Sequence, residues 1–384
     1  MISNRTNRLQ FNNAGGDAMP AEQARIHSLD QFRGYTVLGM FFVNFAGHFQ
    51  VIPEIFKHPN TYCTYHDTIM PHFFFAVGFA YRLTLLKRLK QEGAAPAYAR
   101  VIRRNLGLIL LGMVIYHLDG KFDAWSKLQA LGVLGFLKTA FQRDIFQTLV
   151  HIGVTSLWIL PVIAARPGVR VAFAGLSALL HAGLSHWFYY RWVIERPGID
   201  GGPLGFLTWT LPMIAGSLAY DLVMQQEACR AIAKLFGWGF LGMLAGYAIA
   251  CLSAARTFEA SRGWQPLFVA PPFVPPRHPA DMWTMSQRAG SVSYLMFGSG
   301  FSLAVYALFV LVCDVGKIEW GVLRTLGTNA LAAYIIHDFV AEAIKPLAPS
   351  DAPVWFVLTV TAIFLVICYV FLRHLEKNKL FLRL

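Results

Sequence analysis

Long apolar runs, each closed by a short polar or basic segment, recur along the chain from residue 35 onward. A hydrocarbon core about 30 Å thick needs about 20 mostly apolar residues in helical form. Lipid offers no partner to an open sheet edge, so the runs are read as helices. About ten transmembrane helices are expected, over 35–52, 69–86, 106–118, 145–165, 169–190, 206–223, 231–252, 292–313, 323–340 and 354–372. The predicted fold class is thus an all-α polytopic membrane protein. The segment 121–143 is also apolar, but Lys121, Lys127 and Lys138 interrupt it. It reads as an interfacial amphipathic helix rather than a span.

Basic residues set the expected orientation. The connection between the second and third runs carries Arg82, Lys87, Arg88, Lys90, Arg100, Arg103 and Arg104, and is placed in the cytoplasm. The basic end "RHLEKNKLFLRL" falls on the same side, which an even number of spans requires. Both termini are therefore expected to be cytoplasmic. The loops around 53–68 and 253–290 then face the other side. Residues 1–25 are polar, lack an apolar h-region, and read as a disordered cytoplasmic tail before one membrane domain over 26–384.

Composition agrees with the pattern. The chain is 56% hydrophobic and only 14% charged, where soluble domains carry about 25% charge. The net charge of +12 sits at the ends of apolar runs, which speaks for a lipid bilayer as partner and not for nucleic acid. Five cysteines form no C-x-x-C pair, so neither a disulfide framework nor a zinc ribbon is expected.

Polar side chains within apolar runs are costly and are functional candidates. Asn44 lies in the first run, and Asn329, His337 and Asp338 crowd the ninth. Asn329 and His337 are eight positions apart, on nearly one helical face. Asn105, His117, His151, His181 and His186 read more simply as polar contacts between helices. At the start, "RIHSLDQFRG" offers Ser28 or Asp30 as a helix cap and Arg33 as an anchor. After the first run, "FKHPNTYCTYHDTIMPHFFF" brings His58, His66, Asp67 and His72 within 15 residues.

Three segments together are more specific than any one residue. "SLDQFRGYTVLGMFFVNFAG", then "FKH", then "HDTIMPHFFFAVGFAYRL" resemble the heparan-α-glucosaminide N-acetyltransferase family and its bacterial relatives. The pattern falls on Ser28, Asp30, Phe32, Arg33, Gly34, Met40, Val43, Asn44, His58, Asp67, Pro71, Phe73, Phe75 and Gly78. Weaker echoes follow in "HIGVTSLW", "GPLGFLTWTLP", "MWTMS" and "LGTNALAAYIIHDF". In the first of these the family's Gln-Arg pair is replaced by Val150 and His151, and no role carries over there. The large extracytoplasmic domain of the animal enzyme has no counterpart.

The resemblance implies an acyltransferase of the cytoplasmic (inner) membrane that moves an acyl group, acetyl above all, from cytoplasmic acetyl-CoA to an amino sugar or other glycan on the far side. Its essential histidine corresponds to His58, while Asn329, Tyr334 and His337 match its late motif. The residues fit such chemistry. A histidine near neutrality suits a base; Asn44 offers an amide N–H to an oxyanion; Asp67 can orient a histidine or hold the acceptor. Asp30, Arg33 and the basic connection can hold the anionic half of coenzyme A, and Asn329 and His337 are placed with them. Arg33 and Asn44 are 11 residues apart, about 16 Å of helix, roughly the reach of a pantetheine arm. Direct transfer with His58 as base is expected, beside an acyl-histidine route. A homodimer is compatible with the chain, and no metal is expected. Three other classes compete: a transporter of a small polar or anionic solute, a metal-dependent membrane enzyme using His58, His66, Asp67 and His72, and a scaffold.

Overall fold

Backbone polar groups cannot be left open in lipid, and every regular element among the described residues is a helix. The computed structural model describes residues 26–59, 61–117, 124–142, 145–196, 199–255, 268–276 and 279–382. The predicted tail over 1–25 lies outside them. In order come α1 (His27–Ala46), α2 (Tyr65–Glu92), α3 (Ala94–His117), α4 (Trp125–Gln142), α5 (Thr148–Ile159) and α6 (Pro167–Leu184). They are followed by α7 (Tyr190–Ile194), α8 (Phe206–Gln225), α9 (Ala228–Ala250) and α10 (Leu252–Ala255). The series closes with α11 (Val292–Phe309), α12 (Gly321–Thr328), α13 (Ala330–Ile344) and α14 (Val354–Lys377).

Among the described residues six stretches are long and apolar enough to cross a bilayer, as a multi-pass membrane protein requires: Tyr65–Glu92, Pro167–Ile194, Gly202–Gln225, Ala228–Ala254, Val292–Val315 and Val354–Lys377. The other four expected runs fall on α1, α3, α5 and α12–α13, which are shorter or more polar. Several boundaries differ from expectation, among them α3, which starts at Ala94 rather than near residue 106. The first run was expected over 35–52, but α1 starts at His27 and ends at Ala46. Its polar first turns fold as helix because α12 packs directly on them. The ninth run is not one helix. It breaks at Asn329 (φ −127°, ψ 44°), whose side chain donates to Leu380 O at 2.9 Å and accepts from Leu382 N at 3.2 Å. In the 121–143 segment, α4 bends at Gly132 (φ 62°) and leaves Trp125, Val133 and Leu134 exposed.

Packing in lipid gains little from apolar burial, so small residues that admit a close approach decide which helices meet. A Cβ on Gly78 of α2 would stand 1.8 Å from Met213 O of α8, and one on Gly216 of α8 1.9 Å from Phe75 O. The α1–α12 crossing repeats the device: a Cβ on Gly34 would meet Leu323 O at 1.9 Å, and one on Gly327 would meet Asp30 O at 2.0 Å. The apolar windows of α2 and α8 are 67% and 72% buried, against 22% for α9 and 28% for α14, so α2 and α8 form the centre and the others the lipid-facing rim.

The ends carry polar locks that local patterns did not reveal. α1 is not capped by Ser28 or Asp30; the Ser28 N–H donates to Asp314 Oδ1, 286 positions away, at 3.2 Å. Arg82 is no cytoplasmic anchor. It is 7% exposed and donates from Nε to Asp221 Oδ1 at 2.6 Å and to Ile163 O at 2.6 Å. Arg170 binds the second oxygen of Asp221 and donates to Ser217 Oγ at 2.7 Å. One carboxylate thus neutralises two arginines joining α2, α6 and α8. Removing one partner of a buried pair leaves an uncompensated charge and costs about 3–5 kcal/mol. Asp221→Asn is expected to lower the melting temperature of detergent-solubilised protein sharply, read by tryptophan fluorescence.

Candidate functional site

The N-terminus of α2 builds the site. Its N-cap, Thr64, is extended, and Asp67 three positions later closes a capping box. Asp67 Oδ2 accepts from Thr64 N at 2.8 Å and from Thr64 Oγ1 at 3.1 Å. The other oxygen, Oδ1, accepts from His58 Nδ1. Asp67 is only 1% exposed. A carboxylate can only accept here, so Nδ1 carries the proton and Nε2 is the ring nitrogen left for chemistry. His58 is 22% exposed and lines an open cleft of about 430 Å³. Asn44, His48, Lys57, His66 and Lys345 line the same cleft.

Asn44 sits in the last turn of α1 and is exposed to this cleft rather than sunk in the apolar interior. Its Nδ2 lies 3.2 Å from His337 Nε2. His337 Nδ1 bonds to the Tyr334 carbonyl at 2.6 Å. A carbonyl only accepts, so Nδ1 is the donor and neutral His337 presents Nε2 as an acceptor. That fixes the Asn44 amide with its nitrogen toward His337 and keeps one further N–H for a ligand. Asp338 Oδ1 stands 3.2 Å from the same Nε2, so a protonated His337 would turn its new proton to Asp338 instead. His337 is 2% exposed and stacked on Phe41 at 5.7 Å, which holds the ring in place.

The expected residues therefore divide into two groups. His58, Asp67, Asn44 and His337 gather at one end of the bundle. Asp30, Arg33 and Asn329 lie at the other, where α12 ends against α1. Arg33 Nη1 is 3.9 Å from Asp30 Oδ1, and Arg104 lies near Arg33 and Arg88 at the same end. His337 is thus separated from Asn329, its expected companion in holding coenzyme A. Their separation of eight positions spans about 12 Å of helix, and the Asn329 amide is engaged with residues 380–382. His72 does not join His58. It is fully buried, with Nδ1 2.7 Å from Ser302 Oγ. Among the described residues no His, Cys, Asp and Glu side chains converge as a metal-holding group of three or more.

Several polar residues near the site had no local signal. Tyr294 of α11 lies with its hydroxyl 2.6 Å from the Asp67 carbonyl and 3.1 Å from Gln287 Oε1. Tyr334 and Tyr116 meet hydroxyl to hydroxyl at 2.8 Å, and Tyr116 also accepts from Leu149 N at 3.0 Å. In sequence Tyr116 and Tyr294 are tyrosines at the ends of apolar runs, indistinguishable from interfacial aromatics, while Tyr334 shows only through its place in the late motif.

A scan against protein-family models finds no match for this chain, and a search of curated proteins finds no significant one.

Burial pulls His58 toward neutrality, but the bond to Asp67 and the charges of Asp67 and Asp200 outweigh it and raise its pKa above the usual 6.5. A group whose pKa rises on folding stabilises the fold fully below its unfolded value. That contribution fades as pH climbs through the raised one. Asp67→Asn keeps an amide oxygen that can accept from Thr64 N, so the change falls mainly on the charge held against His58. The melting gap between wild type and Asp67→Asn is expected to be widest near pH 6 and to narrow in alkali, measured by thermal denaturation across pH.

Proposed function

We propose that this protein is a transmembrane acyltransferase that moves an acetyl group from cytoplasmic acetyl-CoA to an amino sugar or glycan on the opposite side of an inner membrane. The supporting observation is the His58–Asp67 pair at an open cleft that also presents Asn44. In this reading ten spans cross the bilayer: the six long apolar stretches together with α1, α3, α5 and the broken α12–α13 pair. Both termini are cytoplasmic. The end with Arg33, Arg88 and Arg104 then takes the phosphates of coenzyme A, for which guanidinium groups are suited. His337 serves the outer site by holding Asn44, and not the nucleotide.

The reaction needs a base, an oxyanion donor and a leaving thiol. His58 Nε2 removes a proton from the acceptor amine or hydroxyl as that group attacks the thioester carbonyl. The remaining Asn44 N–H donates to the oxyanion of the tetrahedral intermediate. Collapse breaks the carbon–sulfur bond, and the proton on His58 passes to the departing thiolate, so acetylated acceptor and free coenzyme A result. Asp67 keeps the imidazole in the required tautomer and favours its protonated form.

With acetyl-CoA and glucosamine as probes, His58→Ala is expected to abolish release of free coenzyme A while the protein still binds coenzyme A. Asn44→Ala is expected to lower kcat by about 10²–10³, the usual cost of one oxyanion donor. Undiminished turnover in His58→Ala would refute the assignment, and solute counterflow without thioester cleavage would point to a transporter.

A further inference from the structure

Asp200 lies in the turn before α8, is 2% exposed, and has φ 61°. That left-handed region is uncommon for any residue but glycine, though asparagine and aspartate enter it more readily. Surrounding bonds hold the turn there. Trp209 Nε1 donates to Asp200 O at 2.8 Å, Gly201 N donates to Arg288 O at 3.1 Å, and Tyr189 Oη donates to Gly201 O at 2.6 Å. A Cβ on Gly290 would stand 2.8 Å from Gly201 Cα, so the two loops touch backbone to backbone. An unfavourable conformation fixed by its surroundings is a mark of functional segments.

These bonds use the main chain around Asp200, and the carboxylate is not spent on closing its own turn. It reaches 87 positions along the chain to Gln287, whose Nε2 donates to Oδ1 at 2.6 Å. Gln287 Oε1 faces the Tyr294 hydroxyl at 3.1 Å, and that hydroxyl lies 2.6 Å from the Asp67 carbonyl. Three links therefore join a buried carboxylate to the first turn of α2, where Asp67 holds His58.

We propose that Asp200 is a positioning residue of the His58 site, a second carboxylate that fixes the Asp67 turn through Gln287 and Tyr294 and tunes the charge on His58. The inference rests on the acyl-transfer reading for its chemistry, but the placement of His58 and its charge can be measured without turnover.

The groups facing His58 are Asp67 and His66 of α2, Glu54 and Lys57 of its own loop, His48 after α1, Lys345 after α13, and Asp200 across the cluster. Burial raises the Asp200 pKa to about 6, against the opposing pull of the Gln287 bond and of His58. In its ionised form Asp200 favours the protonated imidazole of His58.

The test uses purified full-length protein and diethylpyrocarbonate, which reacts with neutral imidazole. The rate at His58, localised by mass spectrometry, gives its midpoint as pH is varied. Asp200→Asn keeps a side chain suited to positive φ and an oxygen for Gln287, and removes only the charge. Its His58 midpoint is expected to move to lower pH at an unchanged melting temperature. Should Asp200→Asn fail to fold, Gln287→Leu, which unlinks the carboxylate, is expected to move the midpoint the same way. A midpoint equal to wild type in whichever variant folds overturns the proposal, since a merely structural turn residue would leave it unmoved. With acetyl-CoA and glucosamine, the acid limb of the pH–rate profile is expected to follow the same shift. A shifted midpoint in a protein that transfers no acetyl group would uphold the role of Asp200 and refute acyl transfer.

Discussion

The Asp67 carboxylate joins folding to chemistry. One oxygen caps α2 through Thr64, and the other holds His58. A buried carboxylate is tolerated only when its lone pairs are satisfied, and these two partnerships satisfy them. The helix start and the histidine are therefore placed by the same group. Because α2 is one of the two most buried apolar helices, the position of His58 is inherited from the centre of the bundle. Without that bond an exposed loop would hold the imidazole far less firmly.

Around that point the structure keeps two chemistries apart. The end with Asn44, His58 and His337 is a cleft of hydrogen-bonding groups with defined donors and acceptors. The end with Arg33, Arg88 and Arg104 gathers positive charge, and α1 links the two. Between them the crossings at Gly34 and Gly327, and at Gly78 and Gly216, bring backbones almost into contact. Such close approaches leave little freedom for sliding, so the distance between the ends is set by helix length.

The sequence reading grouped His58, Asn44 and Asp67 through an ordered motif resemblance, and His58 does meet Asp67 at a cleft that Asn44 lines. It failed where a residue's role depends on a partner far along the chain. Arg82 looked like a basic anchor until Asp221, 139 positions away, claimed it. Asn329 and His337 looked like partners on one helical face, but the Asn329 amide is engaged with residues 380–382, while His337, about 12 Å further along the helix, meets Asn44. Asp200 carries no motif of its own, and only its bond to Gln287 joins it to the site.

By itself the sequence determined the helical class, the six long apolar stretches and the local motif at the start of α2, because hydropathy, length and capping act over neighbouring residues. The tertiary structure alone decided which helices cross, which charges are buried in pairs, and which distant polar side chains converge on His58. Those outcomes follow from steric fit at a few glycines and from satisfying buried polar groups, conditions that only the assembled chain can meet.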